Sequence, residues 1–259
     1  MRFYWLHIFW FVPTHLFALF FANPAQPAIQ TEGILNSPRD WYSLRIGYAS
    51  DYLYQQQYDD EFPQISSLTS HVRLITDASL FTLNIRNCVD FNVLIGSSQI
   101  QIDREVFSKR QFSWAAGTKF LVFQSDLFLL AFDLKYFESK QKPHYFVSEG
   151  YAFNLLSKFR LDYYEMLAAF GIAAKAANLF PYLYATYIYS KIDPNPLIIV
   201  LKYPFSNRSF DTTSRSVIDK QRLGIALGAT LLAGSQGSLT VETRFFNQNA
   251  VTVTGEIRF

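Results

Sequence analysis

Six charged side chains carry the chemistry that this sequence offers most clearly. Arg45, Arg222, Glu242, Arg244, Glu256 and Arg258 all fall on the polar parity of stretches in which apolar and polar residues alternate. Fixed charges at close quarters along a narrow aqueous path bias which ions enter it. Four arginines against two glutamates on one wall predict a mild anion preference. The competing role is structural, with Arg–Glu pairs across neighbouring strands stabilising an interior and selecting little. Covalent catalysis would need a positioned base, usually a histidine beside a carboxylate or hydroxyl. Beyond the N-terminal stretch only His71 and His144 remain. His71 sits in "SLTSHVRLIT" on the polar parity beside Arg73, and His144 in the turn-prone "KQKPHYF". Neither belongs to a nucleophile elbow, a metal-spaced cluster or a carboxylate pair, so no catalytic residue, metal ligand or cofactor is assigned. Cys88 is the single cysteine, which excludes an internal disulfide and reads as a small buried or lipid-edge residue.

The elements that must position those charges are strands. In "WYSLRIGYASDYLY" the positions Tyr42, Leu44, Ile46, Tyr48, Tyr52 and Tyr54 are apolar or aromatic, and Ser43, Arg45 and Asp51 are not. "CVDFNVLIG", "RLGIALGATLL", "LTVETRFF" and "VTVTGEIRF" repeat the period of two, which is that of a strand with one greasy and one wet face. Weaker copies run over Phe112–Val122, Leu127–Phe137 and Phe180–Ser190. Turn-prone segments such as "DDEFPQ", "KIDPNP" and "GSQGS" separate them. "YYEMLAAFGIAAKAANL" is rich in helix formers. It also alternates, with Tyr164, Met166, Ala168, Phe170 and Ile172 on one side, and is read as a strand in keeping with its neighbours.

Composition sets the solvent. The chain is 50% hydrophobic but only 17% charged, low in charge for a soluble domain, and its net charge of +2 gives no footprint for nucleic acid. "MRFYWLHIFWFVPTHLFALFFA" has the layout of a secretory signal peptide, expected over residues 1–18. No later apolar run reaches the about 20 residues that a spanning helix needs. A β-sandwich also alternates. Aromatics near the ends of the apolar faces, charges in mid-strand on the wet faces and a closing strand on Phe259 favour a transmembrane antiparallel β-barrel in the bacterial outer membrane. The expected organisation is a periplasmic or lumen segment over 19–40 and the barrel over 41–259. At roughly eighteen residues per strand and loop that makes about twelve strands, with ten to fourteen the working range. Phe259 is expected to be the tag read by the barrel-insertion machinery.

Several stretches resemble one family, the chlamydial major outer membrane proteins. "NPAQPAIQTEGIL" is similar to that family's mature N-terminal segment, "SLRIGYASDYLY" to its first strand, and "LTVETRFFNQNAVTVTGEIRF" to its closing hairpin. "RLGIALGAT" and "PYLYATYIYSKID" fit strands between. The resemblance spans most of the chain and implies a porin for ions and small hydrophilic solutes, embedded in outer-membrane lipid and assembled as a homotrimer. Family members are longer and cysteine-rich. One cysteine at position 88 argues against a cross-linked envelope network, and the shorter chain implies shorter outer loops, fewer strands, or both. A barrel with few strands fills with its own side chains, so a non-conducting surface antigen, adhesin or envelope structural protein is the other reading.

Overall fold

A computed structural model of the chain describes residues 23–30, 33–35, 40–60, 70–103, 106–148, 151–155, 159–196, 198–202, 209–213 and 216–259. The signal peptide expected over 1–18 and part of the segment over 19–40 lie outside them.

β-branched and aromatic residues in alternation favour a pleated surface, and the alternating stretches form strands in order. After a short helix α1 (Gln26–Ile29) come β1 (Tyr42–Asp60), β2 (Ser70–Ile85), β3 (Val89–Ile102), β4 (Val106–Ser108), β5 (Gln111–Gln124), β6 (Phe128–Gln141), β7 (Pro143–Ser148) and β8 (Tyr151–Leu155). They continue as β9 (Arg160–Ala174), β10 (Leu179–Asn195), β11 (Ile198–Lys202), β12 (Ser209–Thr213), β13 (Val217–Asp219), β14 (Leu223–Ala233), β15 (Gly237–Phe245) and β16 (Asn249–Arg258). The Ala-rich stretch is strand β9, because two neighbours, β6 and β10, complete its backbone hydrogen bonds.

Ten of these strands close a ring in the order β1, β2, β3, β5, β6, β9, β10, β14, β15, β16, each antiparallel to the next. The last strand returns to the first with Arg258 opposite Arg45 and Glu256 opposite Gly47. Following register partners from Ile192 through Tyr163, Ser139, Ser113, Gly96, Ala78, Ala49, Thr254, Thr240 and Thr230 leads back to β10 at Phe180, twelve residues away. A shear of twelve on ten strands sets a tilt of about 40° and a backbone radius of about 10 Å. Inward side chains reaching from opposite walls nearly span such a ring.

The two ends differ. β2–β3, β5–β6, β9–β10 and β14–β15 join through turns of three or four residues, the last with Gly234 at φ +71, a conformation that suits glycine. These mark the periplasmic end, and the outer end carries the longer connections together with one short turn, between β15 and β16. At that outer end β4, β7, β8, β11 and β12 extend β3 as a side sheet, while β13 clasps β1 and β10. The ring of ten falls at the lower bound of the expected ten to fourteen, below the central estimate of about twelve. Its strands reach 19 residues, longer than the membrane requires, and the remaining length forms the side sheet.

Outward faces change character with height. On β2, Ile85, Leu83 and Phe81 give way to Ser79, Asp77, Arg73 and His71. On β6, Phe128 to Tyr136 give way to Glu138 and Lys140, and on β9, Ile172 to Tyr164 give way to Asp162 and Arg160. The inward faces change in the opposite sense, from Asn84 and Thr82 to Leu74 and Val72 on β2. These strands thus have two solvents. In the belt, lipid bathes the outside and polar groups turn inward. Above it, water bathes the outside and apolar groups turn inward. Trp114, Tyr136, Tyr164, Tyr187 and Tyr189 ring the upper edge of the belt, and Trp41 and Tyr42 stand at the lower edge, the interfacial positions that aromatic rings favour.

A test follows from the height of each residue. Ala168→Arg places a charge in mid-belt on β9 and is expected to cost about 2–4 kcal/mol, whereas Asp162→Arg above the belt should cost about 0–1 kcal/mol. Urea unfolding in lipid vesicles reads both, and equal losses would mean that the belt has been misplaced.

Candidate functional site: the barrel lumen

The lumen holds the charges, in three levels. At the periplasmic level Arg45, 1% exposed, is gripped from three sides. Its Nε donates to Glu256 Oε2 at 2.9 Å, one terminal nitrogen pairs with Asp90, and the other donates to the Gln26 carbonyl at 3.3 Å. Asn84 links Asp90 Oδ1, at 2.7 Å, to the Pro27 carbonyl at 3.1 Å. Arg258 donates to Asn87 Oδ1 at 2.9 Å, while its Nε and Nη1 find no acceptor among the described residues.

In the middle, Asp133 lies 3.2 Å from Lys119 Nζ and 3.3 Å from Lys135 Nζ. Lys119 also donates to the Asn23 carbonyl at 2.9 Å and to Tyr184 Oη at 3.1 Å. Tyr182 donates to Glu242 Oε2 at 2.9 Å. Higher still, Arg244, 2% exposed, pairs with Asp51, which also accepts from Thr252. Arg244 Nη1 donates to Gln248 Oε1 at 3.0 Å, and Gln248 Nε2 donates to Glu165 Oε2 at 2.8 Å. Tyr163 donates to the same oxygen at 2.6 Å. Ion pairs this deep hold because each charge has a partner and further hydrogen bonds.

Two other components fill the remaining space. Residues 23–30 enter the lumen as a segment separate from the wall, and α1 lies within it. Asn23 donates to the Phe180 carbonyl at 2.7 Å, and Gln26 to Ser238 Oγ at 3.2 Å. Gly171 leaves room for this segment, since a Cβ there would come within 2.7 Å of Pro24 Cγ. Above the charges, Leu53, Val72, Leu74 and Ile100 form part of one buried apolar cluster inside the ring.

Five of the six residues expected to line one wall point inward: Arg45, Glu242, Arg244, Glu256 and Arg258. Arg222 does not. It precedes β14 on the outer surface, its guanidinium 5.0 Å from the Tyr189 ring centre and its Nε 3.4 Å from Asp219. The expected anion preference loses its basis, because six buried carboxylates face five buried cations across the ten ring strands. His71, on the polar parity of its strand, does not enter the lumen either. It faces outward, with Gln55 Nε2 3.5 Å from its ring nitrogen, while Asp103 accepts from its backbone N–H. Above the belt the polar parity is the outer one. Lys119 and Glu165 escaped the sequence reading. Alternation around Phe112–Val122 marks the first. The second sits in the stretch that also reads as helix. The Phe259 N–H donates to the Leu44 carbonyl at 2.8 Å, extending the seam between β16 and β1.

A closed antiparallel ring with an apolar belt outside and charges inside defines a transmembrane β-barrel of the bacterial outer-membrane class. The chain matches no protein-family model and no curated protein. Among solved structures it is similar to the translocator domain of the autotransporter NalP from Neisseria meningitidis, at 9% identity over 91% of each chain with a TM-score of 0.48. It is also similar to the outer membrane protease OmpT from Escherichia coli, at 10% identity over 84% of this chain and 95% of that one, with a TM-score of 0.37. An outer membrane channel from Pseudomonas putida F1 aligns at 8% identity over 86% of this chain and 100% of that one, with a TM-score of 0.33.

Proposed function

We propose that this barrel is sealed at rest and works through its exterior, as an envelope structural protein, surface antigen or adhesin that anchors a β-structured surface outside the cell. The apolar cluster inside the ring carries this reading. Leu53, Val72, Leu74 and Ile100 are buried against one another where an open channel would hold water, and wetting such side chains forfeits the free energy of their burial.

A diffusion pore is the second reading, favoured by the resemblance to chlamydial porins and by one observation. Residues 23–30 are held in the polar lower lumen by hydrogen bonds to side chains and carbonyls, so they can withdraw without opening the strand ladder. Insertion by the barrel-insertion machinery belongs to either reading, and a homotrimeric state to the porin reading.

The refolded mature protein should show no discrete conductance steps in a planar bilayer. Steps recorded from heat-modifiable, fully folded protein would favour the pore.

A further inference from the structure

Among the described residues, the outer surface carries a cleft lined by three cations and two aromatic rings. It opens between the upper ends of β5, β6 and β9, with a volume of about 330 Å³. Phe112 and Trp114 form its lower side at the top of the lipid belt, and Lys140, Lys142 and Arg160 stand above them. Lys140 is 59% exposed and lies 3.0 Å from Glu138. Lys142 and Arg160 are exposed and have no ion pair among the described residues. Asp162 lies opposite Lys140 across the β6–β9 ladder, and beyond it Asp193 on β10 pairs with Lys191 at 3.1 Å. Next to the cleft, Arg110 lies 2.5 Å from Asp77, extending the basic rim. The opposite side of the barrel is different, because the outer ends of β14–β16 present Leu223, Phe245 and Phe246.

Height decides what such a cleft can hold. Lysine and arginine at the upper edge of a membrane belt meet headgroups, and the aromatic rings below them meet acyl chains. Arginine recognises phosphate through paired N–H donors, and lysine binds it as a point charge. We propose that this cleft binds the phosphorylated headgroup of an outer-leaflet glycolipid, with a phosphate on Lys142 and Arg160 and an acyl chain along Phe112 and Trp114. The proposal rests on the barrel's placement in the outer membrane and is independent of whether the lumen conducts.

Native mass spectrometry of the folded full barrel with a bisphosphorylated glycolipid should show one retained lipid. Removing the phosphates from that lipid should weaken retention by the wild type at least tenfold. The double variant Lys142→Gln/Arg160→Gln should lose a similar factor, while Lys220→Gln on another part of the surface should not. Millimolar inorganic phosphate should fail to displace the lipid. Equal retention of the dephosphorylated lipid overturns the proposal without any need for a variant. A folded double variant that binds as the wild type does, or a site that free phosphate saturates as readily as the lipid, also overturns it.

Discussion

Arg244→Met should lower the stability of the folded barrel by about 3–5 kcal/mol, the loss that follows when one partner of a buried ion pair is removed and the other stays behind. Asp51 is the stranded partner. The effect spreads because Gln248, held by Arg244, also donates to Glu165, and Glu242 Oε1 lies 4.0 Å from Arg244 Nε. Urea midpoints in vesicles measure the loss. Adding Asp51→Leu to Arg244→Met should recover part of it, and the double-mutant cycle gives the coupling between the two residues. A single variant that unfolds at the wild-type midpoint would mean that the guanidinium is replaceable, for example by water entering an open lumen.

Deleting residues 23–30 should leave the barrel silent in planar bilayers while loosening its periplasmic level. The segment accepts from Lys119, Arg45 and Asn84 through its carbonyls, so removing it takes away those three acceptors. Silence is nevertheless expected, because the side-chain packing of Tyr58, Phe137, Tyr163 and Ile100 stands above it. A loss of stability of about 2–4 kcal/mol without conductance fits three lost hydrogen bonds from charged or buried donors. Sustained steps of current from the deletion would replace the sealed barrel with a pore closed by its own N-terminal segment.

How far the sequence alone reached can be argued from particular residues. Period-two alternation located the ring strands, and the parity of "VTVTGEIRF" put Glu256 and Arg258 on the inner face of the strand that meets Arg45. Alternation separates two faces without saying which solvent wets each. The rule that polar faces inward holds for Arg45 and Glu242 in the belt and fails for His71 and Arg73 above it. Arg222 was lost for another reason: it lies just outside β14, where parity no longer governs direction. The hydrogen bonds of residues 23–30 were invisible because they join positions as distant as Gln26 and Ser238, and no local pattern encodes such partners.

The reversal of faces with height also bears on the surrounding lipid. Each residue climbs about 2.5 Å along the barrel axis, so sinking by two residues would bring Lys140, Arg160 and Lys191 toward hydrocarbon. Rising by the same amount would strip acyl chains from the lower aromatics. Vertical sliding is therefore opposed in both directions, and the bilayer must adjust its thickness to the barrel. The cost of that hydrophobic mismatch falls when deformed annuli overlap, so copies of this barrel should gather in patches of matching thickness without any direct protein contact.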